Sequence, residues 1–152
     1  MTKSEDSKSS DSKSSDSKSK NVKPKEANHN QLNTIKNNKY DANMENSKVI
    51  VVNDNQDYIH LIKNNKKVIM FYSEPSTCYA CLKYGSFYKR LANKYHKKAL
   101  FLYTDIAKCG LSLPITPALY SFINGREFLK LDEGVNHKDI KTMITTILKL
   151  KL

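Results

Sequence analysis

The sequence holds no stretch approaching the roughly 18 apolar residues of a membrane-spanning helix, so no such helix is expected. Its first residues, Met1-Thr2-Lys3-Ser4-Glu5-Asp6, contain no apolar core, which argues against a secretory signal. Cysteine is scarce. Three residues in 152, without a signal, do not read as a disulfide scaffold, and the expected compartment is a reducing one, the cytoplasm. Arginine is scarcer, with Arg90 and Arg126 alone and no aromatic-flanked basic cluster. That scarcity argues against nucleic acid as the main partner, although the net charge is +11. Residues 1–47 have almost no aromatic or β-branched side chains and cannot bury enough apolar surface to offset their ordering entropy.

What is present divides the chain in two. Residues 1–47 form an expected disordered tail rich in Ser, Lys, Asp and Asn, with a five-residue Asp-Ser-Lys-Ser-Ser repeat from Asp6 to Lys20. Nothing in so short and polar a period can be buried, so it is no solenoid unit. Residues 48–152 are long enough for one independently folding core. The tail carries 9 basic and 7 acidic side chains and the remainder 17 and 8, so the positive excess sits in the domain. Because Lys and Asn are abundant throughout, lysines such as Lys89, Lys94 and Lys97 read as a solvated helix face.

Periodicity outlines the domain. Val49-Ile50-Val51-Val52 is a β-branched run, and Asn53-Asp54-Asn55 opens a short helix with Tyr58, Leu61 and Ile62 on one face. Asn64-Asn65 ends it, and the apolar run Val68 to Tyr72 reads as a central strand. After a loop containing Pro75, a long helix begins near Cys78, with Tyr84, Phe87, Tyr88, Leu91 and Tyr95 as its apolar face. A third strand spans Ala99 to Tyr103, and Pro114 and Pro117 bracket a turn before the strand Leu119 to Ile123. Asn124-Gly125 is a strong hairpin signal, with Glu127 to Leu131 as partner strand. Asn136 caps a last helix whose buried stripe is Ile140, Met143, Ile144, Ile147 and Leu148. The fold class is α/β: a mixed sheet sandwiched by helices, behind the disordered tail.

The chemistry lies in Cys78-Tyr79-Ala80-Cys81. A Cys at a helix start meets unpaired N–H groups and a partial positive charge, both of which favour a thiolate. The second Cys, one turn later, can close a disulfide with the first. Ser76 or Thr77 would cap this helix. The helix end supplies at most about 1 kcal/mol. Because nucleophilicity falls as a thiol becomes more acidic, the net gain in rate is only about threefold. Placement of the second thiol and docking of the substrate must therefore supply most of the rate.

From Lys48 to Leu150 the chain resembles the thioredoxin family. Phe71-Tyr72-Ser73-Glu74 followed by the Cys78–Cys81 motif is similar to that family's strand, acidic loop and active-site helix, and Leu91-Ala92 with Tyr95 matches the middle of the helix. Thr116-Pro117 before an apolar strand resembles its cis-proline segment, and Gly134 the glycine before its last helix. The resemblance implies a protein-disulfide oxidoreductase with Cys78 as nucleophile and Cys81 as resolving thiol, forming a redox-active disulfide. It implies substrate binding at Thr116, Pro117 and Gly134, with a cis bond before Pro117. No cofactor or metal is expected. The implied partners are protein disulfides and an unidentified dithiol reductant.

Several positions depart from that pattern. Met70 replaces the buried acid that helps deprotonate the resolving Cys, Thr77 replaces a Trp, and Ser86 replaces a helix-kinking proline; the loop before the motif is two residues longer. Glu74 is a candidate substitute acid. These departures define an alternative, a binding or structural module of the same fold with little turnover. No Gly-Gly pair follows the hairpin to hold glutathione, which argues against a glutaredoxin. Cys109 reads as a small half-buried residue, with a regulatory thiol as the sharper option. His29, His60, His96 and His137 show no ligand spacing, and a zinc site would have to recruit distant residues such as Cys109 and His96.

Overall fold

The computed structural model describes residues 43–152. Most of the expected tail, residues 1–42, lies outside the described residues. Its last few residues do not: Met44 is buried. Lys89 Nζ donates to the Asn43 carbonyl at 2.7 Å, and Asn93 Oδ1 accepts from Lys48 N–H at 2.8 Å. The packed structure therefore includes residues before Lys48. A single Met in a polar stretch leaves no periodic signal that would reveal it.

Nine elements follow in order: β1 (Val49–Val51), α1 (Asn55–Asn64), β2 (Lys67–Ser73), α2 (Tyr79–Tyr95), β3 (Leu100–Asp105), α3 (Ile106–Cys109), β4 (Ala118–Ile123), β5 (Arg126–Leu131) and α4 (His137–Lys149). The sheet order is β1-β3-β2-β4-β5, with β2 in the centre. β1 and β2 pair parallel with β3, while β4 pairs antiparallel with β2 and β5. This is the mixed α/β sandwich that the strand and helix pattern implies.

Alternation along β2 divides the core. Ile69 and Phe71 join Phe101, Leu119, Tyr88, Ile140 and Ile144 beneath α2 and α4. Val68, Met70 and Tyr72 join Leu102, Ile62 and Ile106 beneath α1 and α3. Because β2 is covered on both faces, it reads as a continuous apolar run. The Tyr88 hydroxyl lies 2.8 Å from both the Ile69 and Leu102 carbonyls and so pins α2 onto β2 and β3.

Short-range signals act as the residue types require. Asn124 (φ 49°) and Gly125 (φ 81°) both take positive φ, the combination that lets a two-residue turn match strand twist. A register shift in the β4–β5 ladder lies between Ser121 and Phe122, and the Ser121 hydroxyl bonds both the N–H and the carbonyl of Leu129. That contact satisfies a polar group buried in the sheet. α3 was not anticipated by periodicity. Its four residues are too few to show any, and it is set by the Asp105 cap and left-handed Gly110. Among the described residues no helix is long and apolar enough to cross a membrane.

Candidate active site

β2 ends at Ser73 and the chain turns back through Glu74–Thr77 before entering α2. Thr77 and Cys78 both donate their N–H to the Glu74 carbonyl at 3.1 Å, which closes this loop tightly. The cap is neither Ser76 nor Thr77. Cys78 itself caps α2, its Sγ accepting the Cys81 N–H at 3.1 Å. Sulfur thus occupies the place where a helix usually puts a serine or aspartate oxygen, and it shares the Cys81 N–H with the Cys78 carbonyl, also at 3.1 Å. The type of residue at position 78 could not reveal this, because cysteine is not a common cap.

Cys78 and Cys81 form a disulfide, with Cα atoms 5.2 Å apart. Their exposures differ. Cys81 is 1% exposed, while Cys78 is half-buried. The Cys81 Sγ receives the Glu74 backbone N–H at 3.5 Å. Glu74 thus reaches the pair through its main chain, and among the contacts of the described residues none brings its carboxylate to either sulfur.

The second wall is the loop before β4. Thr116-Pro117 is cis, as the resemblance implies, and the Thr116 carbonyl lies 3.6 Å from Cys78 Sγ. Pro117 is buried and Thr116 half-buried. Tyr79 inside the motif and Ile115 beside Thr116 are exposed at 60% and 48%, two large apolar side chains that sequence reasoning did not single out. Gly134 precedes α4 with φ 57°, and its carbonyl accepts from Asn136 Nδ2. It makes no contact with the cysteine pair among those of the described residues.

Met70 is fully buried in an apolar cluster with Val68, Tyr72 and Leu102, so no carboxylate occupies that position. Tyr72, two residues on, meets the Tyr58 hydroxyl at 2.9 Å, and burial followed by that hydrogen bond pushes its phenol far above the usual range. Ser86, in place of a proline, donates to the Leu82 carbonyl within an unbroken α2.

Cys109 lies elsewhere. Its Sγ donates to the Val52 carbonyl at 3.2 Å and lies 2.9 Å from Thr104 Oγ1. His60 bonds Asn64, His96 Nδ1 meets the Asn93 carbonyl, and His137 packs edge-on against Tyr84 and Phe87. His29 falls outside the described residues. Among the described residues no three His, Cys, Asp or Glu side chains converge as metal ligands would.

No protein-family profile matches the sequence, and no curated protein does. Solved structures do match by shape. A thioredoxin from Plasmodium falciparum superposes with a TM-score of 0.59 at 20% identity, over 64% of this chain and 97% of that one. A thioredoxin from Malassezia sympodialis gives 0.60 at 16% identity, over 66% and 93%. A poplar thioredoxin h gives 0.59 at 20% identity, over 68% and 99%. The described domain has the thioredoxin fold, with a Cys-x-x-Cys pair at disulfide distance.

Proposed function

We propose that this domain exchanges electrons with protein disulfides through Cys78 and Cys81. The observation that carries the reading is their asymmetry: one cysteine half-buried at a helix start, the other fully buried one turn below, and a backbone carbonyl alongside the first. In the reduced protein the Cys78 thiolate attacks one sulfur of a substrate disulfide. A mixed disulfide forms, and the other substrate sulfur leaves as a thiolate that takes a proton from water. Cys81, deprotonated, then attacks Cys78 Sγ and expels the second substrate thiolate. Two electrons pass to the substrate, and the Cys78–Cys81 disulfide found in the structure is the oxidised product. An external dithiol reductant restores the pair, a step suited to a reducing compartment such as the cytoplasm.

The surroundings assign work to each step. The Cys81 N–H aimed at Cys78 Sγ favours the attacking thiolate. The Glu74 N–H does the same for Cys81, so a fixed main-chain dipole takes over part of the task of the absent acid. Unlike a carboxylate it cannot accept the proton, which must leave through solvent. The Thr116 backbone lies where an extended substrate could pair, and Tyr79 and Ile115 offer it an apolar rim. In this reading Pro117 holds Thr116 in place and Gly134 leaves room for the substrate at the start of α4.

The test is catalytic reduction of a disulfide-bonded protein, driven by a small dithiol and followed across a pH series. Turnover should rise with pH through the ionisation of Cys81, because no side-chain base stands ready to take its proton. Absence of turnover at every pH, with both cysteines reduced and reactive, would replace the enzyme with a binding module of the same fold.

A further inference from the structure

The end of the molecule remote from the dithiol carries a different chemistry. A cleft of about 620 Å³ opens where β2 and β3 begin, and Lys66, Lys67, His96, Lys97, Lys98 and Lys151 line it. The dithiol follows the opposite end of the same strand. β2 is seven residues long, or about 23 Å, and α2 runs 17 residues, about 25 Å, from Tyr79 to Tyr95, with Cys78 and His96 as its two caps. A ligand in this cleft therefore cannot touch the cysteines.

Every charged side chain on the cleft wall is basic, and no Asp or Glu joins them. Among the described residues the ion pair is Lys130–Asp132, which is outside the cleft. Five ammonium groups from three chain segments thus share one cleft with Leu152 and its main-chain carboxylate, and the excess of positive charge raises the local potential and costs the fold self-repulsion. One of them is held in place. Lys67 Nζ donates to the Leu150 carbonyl at 2.5 Å and the Leu148 carbonyl at 3.4 Å, bound to the end of α4 rather than swinging in solvent.

We infer that this cleft binds a short phosphate chain, such as an inorganic oligophosphate or the triphosphate of a nucleotide. Ammonium groups act as point charges toward phosphate oxygens and impose no planar geometry, which suits a compact ligand of high charge. The lysines surround one cleft instead of forming a row, so an extended polyanion would engage only a few of them at a time. The wall contains no Arg and no Phe, Tyr or Trp. A strand of nucleic acid would find no aromatic platform on which to stack its bases.

The experiment titrates the full chain with tripolyphosphate by calorimetry at about 150 mM salt, where loose surface attraction is screened. Saturable binding with one ligand per chain and a Kd below about 1 mM is expected. Lys97→Ala/Lys98→Ala should weaken it at least about tenfold. Lys138→Ala/Lys141→Ala, which removes the same charge from exposed positions of α4 away from the cleft, should change it less than about twofold. Lys151→Ala, at an exposed position beyond α4, gives a second reading should the Lys97/Lys98 pair disturb folding. An adenosine triphosphate arm separates the two sources, since equal affinity means that only the phosphate chain is read. The inference is overturned by binding that does not saturate, or by equal losses in the two double variants. Tighter binding of a polyglutamate peptide or a single-stranded oligonucleotide also overturns it. None of these outcomes bears on the dithiol reading, which is tested at the other end.

Discussion

Cys78 and Cys109 are both half-buried sulfurs at helix ends, and their surroundings give them opposite characters. Cys78 precedes the first residue of a 17-residue helix, where its sulfur accepts the Cys81 N–H. Cys109 is the last residue of a four-residue helix, where carbonyls converge, and it gives its proton to the Val52 carbonyl. With that proton committed, the neighbouring Thr104 hydroxyl is left to donate to the sulfur. One sulfur receives a main-chain donor and the other faces a main-chain acceptor. The difference is one of position in a helix, since the two residues fall in the same half-buried class.

The comparison breaks most easily at the pair itself. Cys78→Ser should abolish disulfide reduction, while Cys81→Ser should accumulate a mixed disulfide between Cys78 and substrate, detected by mass spectrometry. Release of substrate at wild-type rate from Cys81→Ser would remove the resolving role.

Met70→Asp asks whether an acid could still serve where the apolar core now runs. Position 70 is fully buried among apolar side chains. A carboxyl there should lower unfolding free energy by about 3 kcal/mol or more in denaturant titrations. It should also speed mixed-disulfide release near neutral pH, read by single-turnover kinetics. A loss of stability without faster release would show that position 70 does not communicate with Cys81.

A finer test concerns the main chain. Glu74→Pro deletes the N–H donated to Cys81 Sγ, whereas Glu74→Gln keeps it and removes only the carboxylate. A donor favours the thiolate, so its loss makes the thiolate harder to form, and the pH–rate curve for resolution should move to higher pH in Glu74→Pro alone. The shift should be about one unit, or about 1.4 kcal/mol. Equal shifts in both variants would return the role to the carboxylate.

Reduced protein treated with iodoacetamide near pH 7 should lose Cys78 at least about tenfold faster than Cys109. The reverse order would undo the contrast between the two helix ends. The smallest effect is expected of Cys109→Ala, which leaves the Thr104 hydroxyl and the Val52 carbonyl one partner short. It should cost about 1 kcal/mol of stability and leave disulfide reduction unchanged.

Most of the fold was legible because its signals are local. Val68 to Tyr72 is apolar throughout since β2 is covered on both faces, and Asn124-Gly125 announces its turn through backbone conformations few other residues tolerate. Cys78 and Cys81 could be read as a pair from their spacing alone. What escaped was set by contacts between segments far apart in the chain, or by atoms that every residue possesses. Met44 joins the core although its neighbours in sequence are polar, because it meets α2 near Gly85. A short helix such as α3 has no period to detect.

By itself, then, the sequence determined the alternation of strands and helices and the pair of sulfurs, since side-chain size, periodicity and spacing are properties of the chain. Only the tertiary structure decided that Cys78 caps its own helix and that the Glu74 N–H, not its carboxylate, faces Cys81. It alone brought the Thr116 carbonyl beside the half-buried Cys78 and gathered lysines from three segments around one cleft. The physical reason is common to all of these. Main-chain donors and acceptors are identical at almost every position, and charges distant in sequence act on one another only once folding has set the distance between them.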